Sequence, residues 1–226
     1  MSRSVAVLTC ALLLLLAPLA GAQEAKGDLA ELFPLEGERR WIYLLTITVG
    51  EQSKTIEYVT RIARREKVEG LGECAVLESR SNDRLLNSEW FRLDPERGLI
   101  NPKRQDDQAM ATFKGRVLLT KADLAALAKG KKATPREWAS ASAKAKGTLH
   151  VAGRETIRLR KYGRLECLVV IDEGTYSFKE GKVVRKQERR LYFAPGIGLV
   201  KEVMTIKKPD GTTVMKTEAV LKHHEA

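Results

Sequence analysis

The stretch Leu191-Tyr-Phe-Ala-Pro-Gly-Ile-Gly-Leu-Val-Lys-Glu-Val203 decides between two folds. A glycine-rich turn that cradles phosphate must open a helix. Here Leu199-Val-Lys-Glu-Val-Met-Thr-Ile206 alternates as a strand instead, so the turn joins two strands. Pro195 pre-sets the first central position of a type II turn, and Gly196 supplies the positive φ that the second requires. Gly198 restarts the strand, as a bulge that bends the edge. A hundred residues earlier Asp94-Pro-Glu-Arg-Gly98 does the same job, with Pro95 opening a type I turn and Gly98 taking the positive φ.

The match extends outward. Pro95 and Pro195, Gly98 and Gly198, and Leu99 and Leu199 are each 100 residues apart, and two Glu-Cys-x-Val words (at Cys74 and Cys167) are 93 apart. Trp41 and Trp138 open the two series, and Glu57–Ile62 answers Glu155–Arg160. The shorter spacing of the cysteine words fits a longer hairpin in the second copy, turning at Lys179–Lys182. Self-similarity in a constant order is the mark of an internal duplication. It gives pseudo-repeats over about residues 35–119 and 131–222.

Within each copy the period is two. Cys167, Val169 and Ile171 fall on one face of their strand, Leu168 and Val170 on the other. A strand apolar on both faces is covered on both sides or lies within a curved sheet. Gly50-Glu51 and Pro209-Asp210-Gly211 are turn chemistry between such runs. The fold class is therefore mainly β: an antiparallel curved sheet or half-barrel of two tandem repeats. One short amphipathic helix is expected between them over residues 120–130, with Thr120 as N-cap, Asp123 three residues on and Gly130 as the stop. The run from Trp138 to Lys146 suits helix by its alanines and lysines, but the repeat sets it against the Trp41 strand and makes it strand.

The ends bound the compartment. Arg3, the Leu12–Leu16 run and Ala20-Gly21-Ala22 read as a secretory signal peptide over residues 1–22, cut before Gln23. A lipoprotein leader with Cys10 as the lipidated residue is disfavoured, because Cys10 precedes the leucine run. Cleavage leaves a single β domain, residues 23–226, with a net charge of +10 and no transmembrane segment. The basic pairs Arg64-Arg65, Lys131-Lys132, Arg189-Arg190 and Lys207-Lys208 each have acids close by, which suits a solvated surface or attraction to an anionic envelope component. Cys74 and Cys167 remain after cleavage. Equivalent residues of a duplicated fold meet only near the axis relating the copies, so the expectation is two buried free thiols rather than a disulfide.

The words Leu32-Phe-Pro-Leu-Glu-Gly-Glu-Arg-Arg-Trp-Ile-Tyr43 and Phe193-Ala-Pro-Gly-Ile-Gly-Leu-Val-Lys201 resemble those of a family of exported bacterial proteins of unknown function. The family carries F-P-L-x-x-G-x-x-W-x-Y at the mature N-terminus and Y-F-A-P-G-V-G-L-V-K near the end. Its middle word resembles Glu155–Val170, except that Lys161-Tyr-Gly163 replaces the usual P-A-G turn. The resemblance implies a half-barrel similar in outline to periplasmic lipoprotein carriers of the LolA/LolB type, periplasmic or secreted. It brings no catalytic residues.

Catalytic words are absent from the sequence: there is no G-x-S-x-G, no S-x-x-K and no C-x-x-C. His150 reads as a strand residue, His223 and His224 as a polar tail, and Asp106-Asp107 as a loop. Arg158 and Arg160 share a solvated strand face; the basic residues lack the interleaved aromatics of a nucleic-acid surface. No cofactor or metal is expected. Two readings stand. One is an exported non-catalytic protein holding a lipid-like, hydrophobic or amphipathic ligand (or an envelope partner) on a concave face lined by Trp41, Tyr43, Leu45 and Phe193. The other is an envelope glycan- or lipid-acting hydrolase with unrecognised carboxylates. Two or more buried acids in the concavity would favour the second.

Overall fold

A computed structural model describes residues 28–106, 110–140, 144–178 and 183–225. The expected signal peptide over residues 1–22, Asp107 and the turn expected at Lys179–Lys182 lie outside the described residues. The described residues begin with a short helix that the sequence does not announce, α1 (Leu29–Leu32). Strands β1 (Arg40–Val49), β2 (Gln52–Val68), β3 (Gly72–Ser81), β4 (Arg84–Asp94) and β5 (Gly98–Asp106) follow, then the short β6 (Met110–Thr112) and β7 (Val117–Leu119). Helix α2 (Lys121–Ala128) separates these from β8 (Arg136–Ser140), β9 (Ala145–Leu159), β10 (Gly163–Phe178), β11 (Val183–Ala194), β12 (Gly198–Lys207) and β13 (Thr213–Glu225).

All thirteen strands form one antiparallel sheet, in the order β6-β5-β4-β3-β2-β1-β13-β12-β11-β10-β9-β8, with β7 also on β5. Each half is a meander, and the first and last strands meet in the middle, Tyr43 opposite Leu221 and Leu45 opposite Ala219. Strands of ten to seventeen residues coil strongly, which brings the ends of so wide a sheet together. The half-barrel expectation is therefore extended by closure: Lys114 and Ala139 exchange backbone bonds of 2.8 and 3.2 Å, joining the segment on β5 to β8. The barrel is nearly closed, and that bridge is its seam.

The two glycine turns adopt the conformations their residues require. Gly98 and Gly198 have φ of 96° and 95°, and Gly196 has 74° with Ile197 N donating to Ala194 O at 3.2 Å. Gly198 does pair in the ladder, with Ala194, and the bulge falls two residues later, between the Phe193–Leu199 and Tyr192–Lys201 pairs. The glycines are also needed for space. A Cβ on Gly98 would sit 2.1 Å from Leu119 O, and one on Gly198 3.2 Å from Pro34 Cδ.

Trp138 lies on a strand, as the repeat alignment requires. Helix α2 carries the expected capping box, Thr120 Oγ1 accepting from Asp123 N at 3.1 Å and Asp123 Oδ2 from Thr120 N at 2.7 Å. Its amphipathic character is a correction: its one buried side chain is Asp123, ion-paired to Arg136 at 2.7 Å, while Leu124 and Leu127 are only half-buried. The cap, that ion pair and the packing of Leu124 and Leu127 on the main core hold it in place.

The main core fills the barrel. A satellite core of Cys74, Val76 and Trp90 lies on the outer face, since these alternate with Ala75 and Leu77 of the interior cluster. There Lys103 Nζ sits 4.2 Å from the Trp90 ring centroid and the Arg64 guanidinium 5.9 Å. Long basic stems cover the indole while their charges stay toward water.

Candidate functional site

The barrel encloses a cavity of about 340 Å³. Its walls carry all four of the residues chosen from sequence: Trp41, Tyr43 and Leu45 on β1, and Phe193 on β11. They converge because period-two alternation sends alternate residues of each strand inward, and β1 lies three places from β11 in the sheet.

Two of the four are tied to the glycine turn that opened the sequence reading. Trp41 Nε1 donates to Ile197 O at 2.7 Å, and the Tyr43 hydroxyl donates to Leu199 O at 2.8 Å. Gly196 N donates to Glu31 O at 2.8 Å, docking α1 on the same turn. The turn thus anchors the closed end, where Phe33 and Pro34 enter the lining. Because Tyr43 is satisfied, it offers the cavity a ring and not a donor; it stacks on Tyr58 with centroids 5.0 Å apart. Burial pushes both tyrosine hydroxyls far above their ordinary value, so both remain neutral.

Along β1 the inward side chains pass from buried (Trp41, Tyr43) to half-buried (Leu45, Ile47), so the cavity opens toward the end of β1. Ile56, Leu86 and Met204 line that mouth.

Sequence reasoning missed the charges inside. The pair Arg189-Arg190 reads as solvated in sequence, but the Arg189 side chain is 7% exposed and lies in the cavity wall. It binds Glu202 in two bonds, Nε–Oε1 at 2.9 Å and Nη2–Oε2 at 3.1 Å. Burial by itself would raise the Glu202 pKa, but the Arg189 guanidinium, with Arg104 and Arg116 behind it, holds it below the ordinary carboxylate range. Glu89 lies beside Arg104, 4.0 Å apart. Deeper, Arg116 pairs with Asp172 at 2.7 Å and donates to Asn101 Oδ1 at 2.6 Å, while Trp138 Nε1 donates to Asp172 Oδ1 at 2.9 Å. The Arg116 guanidinium also lies 4.4 Å from the Phe113 centroid. The signal was present in part: Arg189, Leu191 and Phe193 share one strand face, so an inward Phe193 implies an inward Arg189.

The concavity therefore holds buried acids, yet each stands beside an arginine. A carboxylate with a depressed pKa stays ionised at neutral pH and has no proton to donate, which removes Glu202 as a general acid. The histidines lie elsewhere. His150 is half-buried on β9; His223 and His224 are in β13 rather than a free tail, with Lys161 Nζ and the Tyr162 hydroxyl against their Nδ1 atoms at 2.6 and 2.9 Å. Arg158 and Arg160 are exposed, but they do not share a strand face: β9 ends at Leu159 and Arg160 lies in the turn that follows. No group of three metal-ligating side chains occurs among the described residues. A wider, open groove of about 880 Å³ flanks the seam, with Glu137, Glu173 and Glu188 in one row across its strands and Lys146, Lys186 and Lys207 in the next, so it is not an apolar site.

Comparison with protein-family models and with curated proteins gives no match. Among solved structures the chain is similar to a Bacteroides fragilis protein described as exported with a YmcC-like fold, at TM-score 0.46 and 13% identity, covering 86% of this chain and 98% of that one. It is similar to the hypothetical lipoprotein YmcC from Escherichia coli at TM-score 0.36 and 14% identity, covering 85% and 92%. A Vibrio parahaemolyticus domain described as an outer membrane lipoprotein-sorting protein follows at TM-score 0.28 and 8% identity, covering 84% and 85%. Likeness at this distance carries no function from those proteins to this one. No helix among the described residues is long and apolar enough to cross a membrane.

Proposed function

We propose that this is an exported, non-catalytic envelope protein, periplasmic or secreted, that holds a hydrophobic or amphipathic small molecule inside its barrel. The observation that carries the reading is the cavity itself. It is closed at one end by Trp41, Phe33 and Pro34, apolar at its mouth, and has its interior charges matched in pairs. Its volume is at the low end of ligand sites, which span about 300–1,000 Å³. That suits one chain or one small amphiphile rather than a lipid with several tails. Trp41, Tyr43, Leu45 and Phe193 are the proposed contact residues, and the leader accounts for export. The buried acids that the hydrolase reading asks for are present, but each stands beside an arginine, and Glu202, ionised there, has no proton to give as a general acid.

Native mass spectrometry of protein purified from its own envelope tests this. The expected result is a bound mass that is lost on denaturation and absent from Ala219→Phe, whose ring fills the cavity from β13. No adduct on the unaltered protein, or turnover of envelope glycan or lipid that Glu202→Gln abolishes, overturns it.

A further inference from the structure

The meander places six strand connections at the mouth end of the barrel: β1–β2, β3–β4, β5–β6, β8–β9, β10–β11 and β12–β13. Among the described residues four large hydrophobic side chains are exposed, and three of them stand at these connections. Val49 (54%) ends β1, Leu85 (38%) is the second residue of β4 after the Asn82-Asp83 turn, and Met110 (43%) opens β6. The fourth, Leu44, lies on the side wall. No connection at the opposite end carries one. Single exposed apolar residues need no explanation, but their gathering at one end does. Behind them Ile47, Ile56 and Leu86 continue the apolar surface into the cavity.

The other half of the mouth is basic. Arg185 and Lys186 lie near the start of β11, Lys207 ends β12 and Lys208 follows it, with Lys186 opposite Lys207 in the ladder. Lys216 lies next along, on β13. The acid among them, Asp210, is bound by Thr212 N at 2.9 Å within its own turn. Apolar tips on one side and lysines on the other form one surface, because β13 and β1 are neighbours in the sheet.

We propose that this end docks on an anionic lipid bilayer, with Val49, Leu85 and Met110 entering the headgroup–acyl boundary and the lysines of β11 and β12 contacting acidic headgroups. A bilayer is the one occupant that satisfies both halves. A soluble polyanion would use the lysines and leave the apolar tips wet, and an apolar protein groove would desolvate the lysines without partners. Docking would set the cavity mouth against the membrane. The surface is independent of whatever the cavity holds.

Flotation with vesicles of phosphatidylethanolamine and phosphatidylglycerol, against vesicles of phosphatidylcholine, tests it. The protein binds the anionic vesicles, less so as salt rises. Val49→Ser/Leu85→Ser/Met110→Ser and Lys186→Glu/Lys208→Glu each weaken binding by at least about tenfold. Leu44→Ser leaves it unchanged, and thermal unfolding verifies that each variant is folded. Ala219→Phe also binds vesicles normally, so a failure of the cavity reading is told apart from a failure of this one. Equal binding to phosphatidylcholine overturns the proposal. So does anionic binding that the triple serine variant does not reduce, which marks a simple polyanion surface, or self-association without vesicle binding.

Discussion

Arg116 and Asp172 face each other at 2.7 Å across the barrel interior, each with its side chain 1% exposed. Arg116 comes from the segment that closes the barrel and Asp172 from the middle of β10, so the pair ties the closing segment to a strand two places in from the seam. Removing one partner strands the other in a place water cannot reach. Asp172→Ala is expected to cost about 3–5 kcal/mol, while Arg116→Met/Asp172→Leu costs less than the sum of the two single changes, because no charge remains buried, although Asn101 Oδ1 and Trp138 Nε1 each lose a partner. Urea unfolding of the two single variants and the double variant decides it; a double variant as costly as the two single losses added together would show that a stranded charge is not what makes them costly.

Acid should destabilise the fold through Glu202. Its pKa is depressed in the folded protein, so its contribution is complete above the unfolded value, about 4.3, and is lost as pH falls through the lower folded value. Glu202→Gln should cost about 1–3 kcal/mol at neutral pH, in the range for one unmatched partner, since the carboxylate is still 19% exposed. The same variant should flatten the stability-against-pH curve below about pH 4. An unchanged acid limb would show that other carboxylates govern it.

Two interior glycines make room for Trp138, and they should respond differently to its removal. A Cβ on Gly174 would meet Trp138 Cζ2 at 2.8 Å, a side-chain contact. A Cβ on Gly147 would meet that atom too, but also the Glu173 carbonyl oxygen at 2.0 Å, which is backbone. Each change to alanine should destabilise by about 1–3 kcal/mol through overpacking. Trp138→Leu should relieve Gly174→Ala and leave Gly147→Ala at full cost, read as the coupling energy of a double-mutant cycle.

Cys74 and Cys167 are buried, unbonded thiols on β3 and β10. Burial, with Glu166 and Glu155 adding, pushes the Cys167 thiol up to about 11; burial raises Cys74 as well, against the Arg92 charge. Neither is a thiolate at pH 8, so alkylation of the folded protein should be negligible and both should react on denaturation without reductant. Thiols that appear only after reduction would instead mean a disulfide.

The sequence by itself determined the strands, their turns and the inward face of β1. Alternation, proline and glycine act over a few residues, and their outcome here matched at Pro95–Gly98, Pro195–Gly198 and the Thr120 cap. It also put Trp41, Tyr43, Leu45 and Phe193 on one concave face, since an aromatic residue in a period-two pattern has one apolar side to choose. What it could not determine was which charges join them. Arg189 beside Arg190 reads as surface until Glu202, thirteen positions on, is brought opposite Leu191 by the register of β11 and β12. Closure through Lys114 and Ala139 likewise depends on the accumulated coil of thirteen strands. Neither follows from local preference, because a buried charge is tolerated only where a partner arrives from elsewhere in the chain, and only the tertiary structure sets that meeting.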